Sequence, residues 1–399
     1  MARILVCILS DQAIPNLASI IHYKPEKIIF LESKRAKENN FDGKILESLK
    51  DRGVTFSSDC IHKVSVTDEN SILELQNKLA TTVSFYSTSD ELIVNITGGT
   101  KPMSIATYNF FSTRMASIVY NIPKDEILNS KNDEKQSLLL NPPITCKQSL
   151  LAFGFKFEGG KETIASEEVA SIKEIAKVFC NDELIDFSIV SQNNANLSES
   201  ERREVIKKHR ERIREKGGII GKDFAWNSSV PETLKNLLSK HADKDGKFSP
   251  FWIDLLVGEW LEVFIKDILF RNSEKIGIHD IHRGKLVKKD DVTNELDVVF
   301  MKGTTLNIVE CKTGAQDHGS WADVFYKLQA VKQQFGAIHI NSFLVSASKN
   351  ILDKDNNIRD AVQKRAAFYK CKIIPAEIIR QLAKASTVEQ EYEILKPYV

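Results

Sequence analysis

No run of apolar residues in this 399-residue sequence approaches the length needed to cross a bilayer. Nor is charge of either sign in excess: 55 Lys and Arg stand against 54 Asp and Glu, a formal net charge of +1. Global attraction to nucleic acid is therefore excluded, and any polyanion must be held by local patches. Cys7, Cys60, Cys146, Cys180, Cys311 and Cys371 form no CxxC pair and no ligand cluster along the chain, which argues against zinc and for a reduced, cytoplasmic setting. GxGxxG and GxxxxGK[ST] are both missing, so a nucleotide-using Rossmann enzyme and a Walker A protein lose their fingerprints. MARILVCILSDQ has no small-residue cleavage site and reads as a first buried strand. With 42% hydrophobic and 27% charged residues, the chain has the composition of a soluble globular protein and the length for two cores.

What is present centres on Asn294 to Gly314, NELDVVFMKGTTLNIVECKTG, where two strand-forming runs meet at a Gly-Thr turn. Alternation puts Leu296, Val298 and Phe300 on one side of the first run and Asp297 and Val299 on the other. On the second run Leu306, Ile308, Glu310 and Lys312 share a face. One side of a hairpin thus carries an acid from each strand and a lysine. Burying three charges costs free energy unless they have a task. Hard oxygen ligands on adjacent strands, here Asp297 and Glu310, suit Mg²⁺ or Mn²⁺, with the Lys312 ammonium placed to position water or help deprotonate it. Upstream, SPFWIDLLVGEWLEVFIKDILF from Ser249 reads as a helix buried on nearly every side. Glu259, Glu262 and Lys266 form its narrow polar stripe, and Glu262 is either the partner of Lys266 or a further acid of the site. HRGKLVKKDD offers Arg283, Lys285, Lys288 and Lys289, as phosphate contacts or as a solvated turn. Lys327 and Gln329 are weaker candidates, and His318 reads as solvent-facing.

At the other end, Ile4 to Leu9, Lys27 to Leu31 and Leu92 to Ile96 have the length of parallel central strands, with helical stretches between them. That rhythm predicts a doubly wound sheet, whose ligands sit beyond the carboxyl ends of its strands. The loops at those ends run from Ser10 to Asn16 and from Thr97 to Pro102. Two glycines in the second allow close backbone approach, and Pro102 suits the first turn of a helix whose free amides attract phosphate. Between the two ends, 124 to 160 reads as a hairpin and an exit, and Glu162 to Phe179 as a helix. Glu199 to Lys216 is a basic helix with a capping box at Ser198 and Glu201, and Gly217, Gly218 and Gly221 are points of motion.

The sequences SDQAIPN and NITGGTKPMS resemble the two ligand loops of CARF domains, CRISPR-associated Rossmann-like sensors of cyclic oligoadenylates. The resemblance covers roughly residues 1–145 and implies ligand contacts by Ser10, Gln12, Thr97, Gly98, Gly99, Thr100, Lys101 and Met103. The hairpin, with Glu295 where the motif has proline, resembles the PD-(D/E)xK core of restriction-endonuclease-like nucleases. Together they resemble the CRISPR ancillary nucleases. The fold implied is α/β: an N-terminal Rossmann-like CARF domain (1–145), a connecting region (146–245) and a C-terminal restriction-endonuclease-like α/β domain (246–399). The function implied is a cytoplasmic, homodimeric, Mn²⁺- or Mg²⁺-dependent endonuclease of type III CRISPR antiviral defence. Cyclic tetra-adenylate would activate it to cut single-stranded DNA and RNA, with nicking of duplex DNA left open. Catalysis would fall to Asp297, Glu310 and Lys312, with Glu262 in support. The alternative is a CARF-type transcription regulator whose nuclease-like domain only binds DNA.

Overall fold

The computed structural model describes residues 1–122, 125–130, 132–160, 166–179, 232–242, 244, 251–252, 255–313, 320–333 and 340–399. The basic stretch 199–216, the glycines at 217, 218 and 221, and His318 lie outside them.

Strands β1 (Arg3–Ile8), β2 (Lys27–Glu32), β3 (Ile61–Ser65), β4 (Glu91–Asn95) and β5 (Ala116–Ile122) pair in parallel. The hairpin β6 (Glu126–Asn129) and β7 (Glu134–Ser137) adds an antiparallel edge. Among the described residues the order is β3-β2-β1-β4-β5-β6-β7. Leu5, Cys7 and Phe30 pack with the helices Ala13–Tyr23 and Phe41–Asp51 on one face, and Ile4, Val6 and Val94 with Ile72–Ala80 and Lys101–Ser112 on the other. Covered on both sides, these strands have no use for polar alternation and read as continuous apolar runs. The order reverses between β1 and β4, which opens a crevice at their carboxyl ends, where both predicted loops lie.

The chain leaves this sheet through the helix Cys146–Ala152 and enters the second directly. That sheet runs β13-β12-β11-β10-β9-β8, with β8 (Lys156–Glu158), β9 (Ile278–Lys289), β10 (Val292–Lys302), β11 (Thr305–Lys312), β12 (Ile340–Ser346) and β13 (Cys371–Pro375). From β8 to β11 the pairing is antiparallel and from β11 to β13 parallel. The helix Trp260–Arg271 covers one face and Ser320–Gln333 the other. The basic run His282–Asp291 is no solvated turn: it forms most of β9, with Arg283 and Val287 turned inward, and only Asp290 and Asp291 make the bend.

One apolar cluster runs from Leu5 and Phe30 through Phe153 and Phe155 to Val299, Ile308, Trp321 and Phe325, so the two sheets share a core. No helix of the described residues is long and apolar enough to cross a membrane.

Candidate functional site

Register brings the hairpin's charges together. Val298 lies opposite Val309, so one step outward Asp297 and Glu310 stand side by side on the face covered by the helix Ser320–Gln333. Both are buried, at 8% and 3% exposure. Asp297 accepts the Cys311 backbone N–H at 2.7 Å. The Lys312 ammonium donates to Glu310 at 2.6 Å, and that of Lys327 donates to both Glu310 oxygens at 2.9 and 3.1 Å.

Burial, reinforced by the Glu310 charge, pushes Asp297 up to about 6. Burial by itself would lower Lys312, but the charges of Glu310 and Asp297 outweigh it and hold the ammonium above its ordinary range. Lys312 is therefore protonated at neutral pH. It can orient a phosphate or stabilise developing charge, but as it stands it is no base.

Two adjacent buried carboxylates, with Asp297 raised by burial and by the Glu310 charge, fit a divalent cation. Glu310 now spends its oxygens on two lysines, so a cation here would exchange with them.

Glu262 is on the other side of the sheet, on the helix Trp260–Arg271. Arg283, buried beside Val298, reaches Glu259 at 3.1 Å and Glu262 at 3.7 Å. Lys266, the partner considered for Glu262, lies over the Phe270 ring. Among the described residues the one trio of Cys, His or carboxylate ligand atoms within 4.8 Å is Cys146, Asp280 and His282. Glu262 still acts on the same place as the hairpin acids: burial, then the charges of Asp297, Glu262 and Glu310, push the Cys311 thiol well above its ordinary range.

The trio corrects the expectation that no cysteine enters a ligand cluster, because the contact is made in space and not along the chain. Asp280 is already satisfied there, by the Cys146 N–H at 2.6 Å and His282 Nε2 at 2.9 Å. Arg283 is buried in an ion pair and not open to substrate. Lys285 and Lys289 lie over Phe157 and Phe155, bracing the connecting segment.

Lys327 is the participant that sequence reading undervalued. Its signal was position: three residues after Val324 and four before Val331, it borders the helix's apolar stripe.

The loops after β1 and β4 converge at the crevice. Ser10 Oγ accepts the Gln12 N–H at 3.2 Å. Thr97 donates to Asn95 Oδ1 from its backbone at 3.1 Å and its hydroxyl at 2.5 Å. A Cβ on Gly98 would meet the Ile8 carbonyl at 2.2 Å, and Gly99 has φ +78°. Thr100 caps the helix Lys101–Ser112, its Oγ1 accepting the Met103 N–H, and Lys101 is exposed. Met103 itself turns into the core at 1% exposure, so its side chain is not presented to the crevice.

Fold and site together define a two-domain protein: a doubly wound sensor-type domain joined to a mixed-sheet domain with paired buried carboxylates. Residues 4–148 match the family model of the Card1 CARF domain, and residues 252–377 that of the Card1-like endonuclease domain. The chain therefore carries an N-terminal CARF domain and a C-terminal endonuclease domain of the Card1 type. Comparison with curated proteins gives no match.

Among solved structures, that of Can2 from Sulfobacillus thermosulfidooxidans in complex with cyclic tetra-adenylate is similar at TM-score 0.69 and 20% identity, over 99% of each chain. Protein VC1899 from Vibrio cholerae is similar at TM-score 0.74 and 15% identity, over 99% of this chain and 98% of that one. A type III CRISPR defence DNA nuclease activated by cyclic oligoadenylate is similar at TM-score 0.55 and 17% identity, over 87% of this chain and 45% of its own.

Proposed function

We propose that this protein is a divalent-metal-dependent nuclease of type III CRISPR antiviral defence, switched on by cyclic oligoadenylate, with cyclic tetra-adenylate as the activator. Its substrates are single-stranded DNA and RNA. The observation that carries the reading is the buried pair Asp297 and Glu310, with Lys312 and the exposed Lys327 both donating to Glu310, in a domain matched by the Card1-like endonuclease family. The PD-(D/E)xK pattern, the CARF family match and the activators named for similar folds support the same assignment.

Asp297 and Glu310 would hold Mn²⁺ or Mg²⁺. The chemistry a cation supplies when bound is neutralisation of phosphate charge and activation of water for in-line attack on phosphorus. The chain's own residues do the rest. Lys312 and Lys327, released from Glu310, turn two ammonium groups toward the phosphodiester and stabilise the charge that builds on its oxygens. The helix Ser320–Gln333, anchored by Trp321 and Phe325, keeps bulk water from the inner side of the site.

In the sensor, Lys101 and the Gly98–Gly99 amides would receive phosphate, with Ser10, Gln12, Thr97 and Thr100 supplying polar groups. A cyclic ligand of even symmetry can offer the same surface to two chains, so we place the working unit as a homodimer. Leu73, Ile105 and Tyr108, exposed at 70%, 49% and 39% on adjacent helices, give the second copy an apolar face.

The test is incubation of the purified protein with Mn²⁺, labelled single-stranded DNA and RNA, and each cyclic oligoadenylate in turn. Cleavage that needs both metal and cyclic tetra-adenylate is expected. Equal cleavage without an activator overturns the sensor reading, and binding of DNA without cleavage in any combination supports the regulator instead.

A further inference from the structure

The turn of the catalytic hairpin is gripped from the other domain. Gly303 and Thr304 join β10 to β11, and Asp125, in the turn just before β6, reaches across to them. Its Oδ1 accepts both the Thr304 backbone N–H at 2.8 Å and the Thr304 hydroxyl at 2.6 Å. Gly303 has φ +57°, and a Cβ there would fall 1.7 Å from Asp125 Oδ2. Thr304 is 5% exposed. A hairpin turn elsewhere sits in water. This one is built to be held, with a glycine that clears the carboxylate and a threonine that spends two donors on it.

Asp125 is also four residues from the point where the sensor loops meet. Asn121 of β5 receives both: its N–H donates to Thr97 Oγ1 at 2.8 Å, and its side-chain amide donates to the Pro15 carbonyl at 2.6 Å. Asn121 pairs with Ile127 in the β5–β6 ladder, and Ile122 with Glu126. The Thr97 loop is therefore hydrogen-bonded to β5, which pairs with β6, whose first residue follows Asp125. From Thr304 the hairpin runs straight to Glu310 on one strand and to Asp297 on the other.

We infer that Asp125 is a positioning residue, the latch through which occupancy of the sensor loops sets the register and mobility of the strands that carry Asp297 and Glu310. The inference rests on the activator reading above.

The test is amide hydrogen exchange of peptides within 298–312, with and without cyclic tetra-adenylate. It is run on the full-length wild type, Asp125→Ala and Asp125→Asn, with ligand affinity measured in parallel. Wild type should show at least a twofold ligand-dependent change in exchange over these peptides. Asp125→Ala should lose that change while binding the ligand within about threefold of wild type. Asp125→Asn keeps an Oδ1 acceptor for both Thr304 donors and should restore it, a rescue that general destabilisation would not produce. Thr304→Val, which loses one of the two donors, should fall between.

An unchanged ligand response in Asp125→Ala overturns the latch, as does a wild type that binds ligand without any response in the hairpin. Failure of wild type to bind cyclic tetra-adenylate is a different result: it removes the activator assignment, and the latch's input with it.

Discussion

At the scale of single residues, the site is a balance of buried charges whose removal has separable consequences. Asp297→Asn and Glu310→Gln each take away one expected cation ligand. Cleavage should fall at least about a hundredfold (about 2.7 kcal/mol) in a gel assay, with activator affinity unchanged, because the sensor loops lie in the other domain. Lys327→Ala should cost less, since Lys312 still reaches Glu310 at 2.6 Å. Because Asp297 titrates near 6, a proton competes with the cation below that pH. Apparent Mn²⁺ affinity, measured by calorimetry, should rise as pH climbs to about 6 and then level off, and Asp297→Asn should flatten the profile. The sign for stability is opposite. The folded protein holds this proton where the unfolded carboxyl, near 3.8, has lost it, so the metal-free fold should weaken as pH rises from about 4 to 6. Arg283→Met removes the guanidinium that reaches Glu259 at 3.1 Å and Glu262 at 3.7 Å. Urea unfolding should show a loss near the lower end of roughly 3 to 5 kcal/mol, because Glu259 keeps some contact with water.

At the scale of elements, the parallel strands and the hairpin were legible because burial on both faces, or on one, imposes a pattern of its own. Ile4–Ile8 reads as continuous apolar sequence since helices cover it twice, and Asp297 and Glu310 interrupt hairpin strands that are likewise buried on consecutive residues. β9 was not legible as a strand. Its sequence HRGKLVKK is basic, and the burial of Arg283 depends on carboxylates that arrive from the helix Trp260–Arg271. The tight turn after β4 carries its own prediction. Gly98→Ala places a methyl group 2.2 Å from the Ile8 carbonyl, a backbone atom that cannot step aside. The β1–β4 crevice should distort, with a thermal midpoint lowered by several degrees for a cost of about 1–3 kcal/mol and weaker activator binding. Lys101→Ala leaves that geometry alone and should weaken cyclic tetra-adenylate by about ten- to hundredfold, the worth of one charge-assisted contact.

At the scale of the whole molecule, two sheets with separate tasks are welded by one core and by polar contacts at three places. The Asp280 carboxylate accepts the Cys146 N–H, His279 meets the Ile144 carbonyl, and Asp125 holds Thr304. A chain so joined can carry strain from one site to the other, which a loosely linked pair of domains could not. If the second copy docks on the helix Lys101–Ser112, Ile105→Lys with Tyr108→Lys should yield monomers by analytical ultracentrifugation and abolish activation while each chain stays folded. The sequence by itself determined the two domain classes, the paired carboxylates with their lysine, and the two loops at the carboxyl ends of the parallel strands. All of these are local patterns, set by side-chain period and turn chemistry within a few residues. Tertiary structure alone decided that Lys327 shares Glu310, that Arg283 reaches Glu259 and Glu262, that Met103 turns inward, and that Asp125 grips the hairpin. Those contacts join residues far apart along the chain, and no periodicity records them because their energy depends on which surfaces the folded core brings within 3 to 4 Å.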